Sequence, residues 1–133
     1  MIDLLFVYGT LRQGNTNAMA AYLAKQSEYL AAGWFQGYLY AISDYPGAIT
    51  SSCPEHRVYG EIVRLNNAET VLSVLDDYEE CGPQHRQPTA YQRVHATVHS
   101  LDGVVFNPVW IYLYQWPIVD KPLIAHGDFM RVK

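Results

Sequence analysis

Apolar positions along this chain follow two periods, and the switches between them mark its elements. Residues 2–7 form an apolar, β-branched run that predicts a buried strand. The run breaks into the glycine-bracketed stretch Tyr8-Gly9-Thr10-Leu11-Arg12-Gln13-Gly14. Asn15 and Thr16 are good N-caps for a helix with Ala18, Met19, Tyr22 and Leu23 as its apolar positions. Residues 34–42 read as a long strand ended by the turn signals Asp44, Pro46 and Gly47, and residues 58–65 as another. Residues 91–99 alternate, with Val94, Ala96 and Val98 on one face and Tyr91, Arg93, His95, Thr97 and His99 on the other. Residues 109–115 place aromatics on one side and aliphatics on the opposite side.

A second helix is read between residues 58–65 and 91–99. Asn66 and Glu69 have the spacing of a capping box, and Gly82-Pro83 supplies a stop. Ala68, Leu72 and Leu75 lie on one stripe of a 3.6-residue period whose next position is Glu79, while Asp76 and Glu80 fall on the polar side. Several strands against two helices, unevenly spaced, predict an α+β fold whose sheet curls toward a barrel, with residues 1–133 as one domain.

Half of the 133 residues are hydrophobic, enough for a real core, and the eleven tyrosines and three tryptophans gather in the predicted strands. A net charge of -4 and the lack of a Lys/Arg cluster argue against nucleic acid as a partner. No apolar run approaches the roughly 20 residues that span a bilayer. The expectation is a cytoplasmic protein, monomeric or weakly dimeric, with Cys53 and Cys81 as free thiols.

Two places carry candidate chemistry. The loop after the first strand, with unpaired backbone N–H groups and the start of a helix beside it, has the form of an anion site. It lacks the Gly-x-Gly-x-x-Gly and Gly-Lys-Ser/Thr phosphate motifs, so a small carboxylate-bearing ligand is expected, with Arg12 nearby. The other place is Glu79. A carboxylate ending an apolar stripe is partly buried, and burial raises its pKa toward the range a general acid/base needs; capping of the last turn, with Arg93 or a backbone donor as partner, is the plainer alternative. Trp110, Tyr112 and Tyr114 pack the sheet, and Tyr114 is the candidate whose hydroxyl reaches a ligand.

Other groupings are set aside. His95 and His99, four apart on a strand, are ~13 Å apart at Cα and too distant to share a metal. Cys81 and His85 flank Gly82-Pro83 and have no third orienting group, and Ser51-Ser52 lacks a nucleophile elbow.

The string Tyr8-Gly9-Thr10-Leu11 resembles the opening Tyr-Gly-Ser/Thr-Leu motif of the gamma-glutamylcyclotransferase-like superfamily. Tyr45-Pro46-Gly47-Ala48, Val58-Tyr59-Gly60-Glu61-Ile62, Leu75-Asp76-Asp77-Tyr78-Glu79, Tyr91-Gln92-Arg93-Val94, Trp110-Ile111-Tyr112-Leu113-Tyr114 and Gly127-Asp128-Phe129 agree in order. The resemblance implies a small mixed β-barrel flanked by helices, with Tyr8, Gly9, Thr10 and Leu11 binding a gamma-glutamyl moiety and Glu79 as the catalytic glutamate. It implies an enzyme that closes 5-oxoproline by attack of the substrate α-amine on its own γ-carbonyl, releasing an amine or amino acid, with no metal or organic cofactor. The Leu-Asp-Asp-Tyr-Glu-x-Cys string looks most like the gamma-glutamylamine branch, and residues 80–90 form a longer loop than the compact members carry. A binding or sensor domain for 5-oxoproline or a glutamyl ligand is the alternative, which Glu79 disfavours because a pure binder has no need of a buried acid.

Overall fold

The computed structural model describes residues 2–82 and 85–131. In chain order it contains β1 (Leu4–Val7), α1 (Ala18–Lys25), β2 (Ser27–Ala41), β3 (Pro46–Thr50), β4 (Arg57–Leu65), α2 (Ala68–Tyr78), β5 (Tyr91–Ser100), β6 (Val105–Tyr114) and a 3-10 turn at Phe129–Arg131. The sheet order is β3-β2-β4-β1-β6-β5. Pairing of Gly33 with Ser100 and of Trp34 with His99 joins β5 back to β2. Five strands therefore close into a barrel, and β3 is added to β2 outside the ring. β1 runs parallel to β6 and every other pairing is antiparallel, so the barrel is mixed.

Closure explains why β1 is apolar at every position. Phe6 and Tyr8 pack with Phe35, Leu39, Val58, Ile62, Val98 and Ile111 in the barrel core. Leu5 and Val7 face the opposite way and pack with Val63, Leu65, Leu23 of α1 and Val71, Leu72 and Leu75 of α2. A strand covered on both faces has no polar positions to show, whereas Val94, Ala96 and Val98 of β5 keep to the barrel side as their alternation predicts. The ladder of β5 and β6 slips between Ala96 and Val98, where β6 carries the extra residue beside Pro108, which has no N–H to donate.

Several boundaries differ from the sequence reading. The N-cap of α1 is Asn17, whose side chain accepts from the Ala20 N–H at 2.8 Å. Asn15 is occupied elsewhere, donating to the Gly9 and Arg12 carbonyls. α2 has no capping box: the Asn66 N–H is taken by the Gln26 carbonyl, which extends the β2–β4 pairing, and Asn67 caps in a left-handed conformation without a side-chain bond. β2 begins at Ser27, seven residues before the predicted start, and the turn signals at Pro46 and Gly47 open β3.

Candidate functional site

A cavity of about 1240 Å³ opens at the end of the barrel where β1 gives way to its loop. Tyr8, Gly9, Thr10 and Leu11 line it, with Thr16 and Asn17 at the start of α1. Glu79 lines it from the end of α2, and residues 85–90 with Asp44, Tyr45, Tyr78 and Trp116 form the remaining wall. Among the described residues, no helix is long and apolar enough to cross a membrane.

The loop is held by a set of its own polar contacts. Asn15 closes it on itself, and the Asn17 side chain donates to the Thr10 carbonyl at 2.8 Å. Arg12 Nη1 donates to Asp128 Oδ1 at 2.7 Å, and Arg12 Nε lies 3.7 Å from Glu61 Oε2, an ion pair too long for a hydrogen bond. The Gln13 N–H donates to Glu61 Oε1 at 2.8 Å. A Cβ on Gly9 would come within 2.8 Å of the Pro46 ring, so this close approach of loop to β3 requires glycine. Among the described residues the amides of Gly9, Thr10 and Leu11 make no hydrogen bond. Three donors in a fixed loop beside a helix start are what an anion or a developing oxyanion needs.

Tyr8 is built into the wall. Its hydroxyl donates to the Tyr112 carbonyl and accepts from the Ala48 N–H at 3.2 Å, and burial pushes its pKa far up. It is a neutral phenol at any physiological pH. Tyr91 donates to the Pro46 carbonyl, tying β5 to β3 across the same cavity.

Glu79 occupies the helical C-cap of α2, with its N–H on the Leu75 carbonyl at 2.8 Å. Glu80 follows in a left-handed conformation, φ 54°, and its N–H and that of Cys81 return to the carbonyls of Asp77 and Asp76. This is a Schellman turn, and it, rather than Gly82-Pro83, ends the helix; Pro83 lies outside the described residues. Among the described residues the Glu79 carboxyl has no hydrogen-bond or ion-pair partner. Burial pushes its pKa up to about 7. Glu79 does end the helix, as the capping alternative has it, but its side chain has neither Arg93, which is committed to Asp76, nor a backbone donor as partner among the described residues.

Arg12 and Tyr114 stand apart from this group. The Arg12 guanidinium is spent on Asp128 and Glu61 and does not line the cavity. Tyr114 is buried edge-on to Tyr91, with ring centroids 5.4 Å apart, and Tyr112 is the β6 tyrosine that reaches the cavity wall. The strand histidines are each taken by an aromatic ring, His99 by Trp34 and His95 by Trp110. Cys81 and His85 are not brought together as a pair: the thiol, pushed up to about 11 by burial and by Asp76, donates to Asp76, and His85 faces Asp77 at 3.1 Å.

Sequence reasoning placed Asp76 on the polar side of α2. Its side chain is instead only 19% exposed and holds Arg93 and Tyr112. Asp76 follows Leu75 by about 100° around the helix, and an element lying across two strands buries more than one stripe. The string Leu75-Asp76 beside Glu79 was the available signal.

The profile of the family described as gamma-glutamyl cyclotransferase, AIG2-like, matches residues 5–131. The gamma-glutamylcyclotransferase family protein YtfP of Escherichia coli K12 is 30% identical over 129 residues, 95% of each chain. Its solution structure overlays with a TM-score of 0.63 at 29% identity, covering 98% of this chain and 99% of that one. A gamma-glutamylaminecyclotransferase of Bos taurus is 30% identical over 131 residues, 82% of this chain and 70% of its own. The crystal structure of an AIG2-like protein from Mus musculus overlays with a TM-score of 0.71 at 24% identity, covering 96% of this chain and 88% of that one, a likeness of fold.

Proposed function

The chain belongs to the gamma-glutamyl cyclotransferase, AIG2-like family, and from that premise we propose that it converts a gamma-glutamyl compound into 5-oxoproline and a free amine or amino acid. The observation that carries the reading is the gathering of opposites along one cavity. A carboxyl without a partner among the described residues, pushed up to about 7, shares the cavity with three backbone amides that likewise have none there.

The chemistry follows from those groups. The neutral form of the substrate α-amine attacks, and as the new bond forms a carboxylate of near-neutral pKa accepts the proton that this nitrogen must shed to become the ring amide N–H. As the new N–Cγ bond forms, the γ-carbonyl oxygen gains negative charge, and fixed N–H donors stabilise it at no cost in reorganisation. The bond from Cγ to the leaving nitrogen then breaks, and Glu79 returns its proton to that nitrogen. Atoms and charge balance without a further reactant. Gly9, Thr10 and Leu11 also grip the glutamyl α-carboxylate, holding the chain in the five-membered geometry. The cavity is far larger than a glutamyl group, and the leaving group is accommodated by the wall of residues 85–90. Among the described lining residues Arg86 is the one permanent cation, suited to a leaving-group carboxylate, and Tyr45, Tyr78 and Trp116 offer exposed aromatic surface. The bovine relative's name supports a gamma-glutamylamine as the substrate.

The test is incubation of the purified protein with gamma-glutamyl amino acids, gamma-glutamyl-ε-lysine and glutathione, following 5-oxoproline by mass spectrometry. Product is expected, and Glu79→Gln is expected to lower its rate by roughly 10²–10⁴-fold while keeping 5-oxoproline binding. Binding of 5-oxoproline with no turnover of any substrate would replace the enzyme with a sensor domain.

A further inference from the structure

One turn before Glu79 on α2 stands a second carboxylate, and it is fully partnered where Glu79 has no partner among the described residues. Asp76 Oδ1 accepts from Arg93 Nε at 2.7 Å and from the Tyr112 hydroxyl at 2.7 Å, and Oδ2 accepts from Arg93 Nη2 at 2.9 Å. The Cys81 thiol adds a long contact to Oδ1 at 3.7 Å. Arg93 lies over Trp110, its guanidinium carbon 4.2 Å from the ring centre. Burial works against the Arg93 charge, but the bonds and attraction of Asp76 outweigh it, and its pKa is raised.

This cluster joins both halves of the cavity. The Asp76 carbonyl accepts the Cys81 N–H at 2.9 Å, closing the turn in which Glu79 sits. The Tyr112 carbonyl accepts the Tyr8 hydroxyl, while the Tyr112 hydroxyl reaches Asp76. One residue of β6 thereby ties the substrate loop to the helix end that bears the acid. A partly buried ion pair adds little net stability over apolar packing of the same shape, so its value here lies in where it holds the chain.

We propose that Asp76, Arg93 and Tyr112 are positioning residues for Glu79: a charge-neutral clamp that fixes the end of α2 across β5 and β6 and adds no net charge of its own beside the Glu79 carboxyl. This rests on the reading of Glu79 as the acid/base. Side chains three apart on a helix are neighbours. An unpaired Asp76 there would strengthen the hold of Glu79 on its proton, and an unpaired Arg93 would weaken it. The other groups about Glu79 are the neutral phenols of Tyr8 on the β1 side and Tyr91 on β5, Asp77 with its partner His85, and Glu80, Arg86 and Asp44 on the cavity wall. Among the described residues none of them bonds to the Asp76 or Arg93 side chain.

The experiment is a pH titration of the Glu79 carboxyl carbon by NMR in the full chain labelled with 13C-glutamate, assigned with Glu79→Gln, alongside the pH profile of 5-oxoproline release. Arg93→Gln should move the Glu79 midpoint up and Asp76→Asn should move it down, each by about half a unit or more. Arg93→Lys keeps the charge but loses the fork, so the midpoint should return to the wild-type value while kcat stays about tenfold lower and KM is little changed. Midpoints within about 0.2 unit of wild type in both Arg93→Gln and Asp76→Asn, or shifts of the same sign, would overturn the clamp. If either variant fails to fold, Arg93→Lys decides alone: wild-type kcat there overturns it. A wild type that makes no 5-oxoproline but shows the opposed shifts would defeat the cyclotransferase reading and leave the clamp standing; turnover without the shifts would do the reverse.

Discussion

A carboxyl group partly buried without a donor destabilises the fold whenever it is charged, and among the described residues Glu79 has no donor at neutral pH. Unfolded, it ionises at the ordinary value of 4.5; folded, at about 7. Between those values the folded chain binds more protons than the unfolded one, so raising the pH through this window removes stability. The loss amounts to up to about 3 kcal/mol and is complete above the folded value. Glu79→Gln abolishes the term because glutamine does not ionise. The variant should melt with the wild type at pH 4 and above it at pH 8, as read by thermal denaturation at both pH values. Equal melting temperatures at pH 8 would mean that the carboxyl is hydrated in the folded chain and ionises there near its ordinary value of 4.5. A gain in stability on losing the acid is also what sets a working residue apart from a structural one. The same carboxyl gives activity an acidic limb: as a base it must be ionised, so the rate should rise with pH through about 7.

Within α2 the last turn is under strain of a simple kind. Glu80 occupies the left-handed position of the Schellman turn, which favours a residue without a Cβ. Glu80→Gly should therefore stabilise the protein by about 0.5–1 kcal/mol, a rise of roughly 2–4 °C in Tm. An unchanged or lower Tm would show that the Glu80 side chain makes up the difference from its place at the cavity wall. This turn also shows which parts of the fold the sequence made legible. The stripe Ala68, Leu72, Leu75 located α2 and put Glu79 at its working end, because burial against a sheet selects residues at 3.6-residue spacing. The caps were misplaced because a capping residue is chosen by three-dimensional competition. Asn15, Asn17 and Asn66 are all competent, and loop closure and sheet pairing claim two of them. Asp76 and Arg93 were unreadable as a pair for a related reason: they lie seventeen positions apart, and nothing local in either segment records the other.

Across the whole molecule the candidate site is held by contacts between the two ends of the chain. Arg12 and Asp128 are 116 positions apart, and their bond links the loop after β1 to the turn after the last strand. Gly127 makes that turn possible: at φ 76° it packs so closely on Arg57 that an added Cβ would lie 1.8 Å from the Arg57 carbonyl oxygen. Phe129 anchors the turn in the barrel core, and Asp128 also accepts from the Met130 N–H at 3.0 Å. Arg12 is thus a strut behind the amides of Gly9, Thr10 and Leu11, which explains how a residue adjacent to the loop can serve the site without facing the cavity. Asp128→Ala removes the brace and leaves a largely buried guanidinium whose remaining partner among the described residues is the longer ion pair to Glu61. The expected cost is about 2 kcal/mol of global stability, within the range for breaking a partly buried pair. The barrel core is untouched, so strand amides should keep their relative protection from hydrogen exchange. The amides of Gly9, Thr10 and Leu11 should exchange faster by more than the global loss accounts for, and affinity for 5-oxoproline should fall with them. Loop exchange and affinity that change only in proportion to global stability would show that Asn15 and Asn17 hold the loop unaided, and that the long-range pair serves the fold alone.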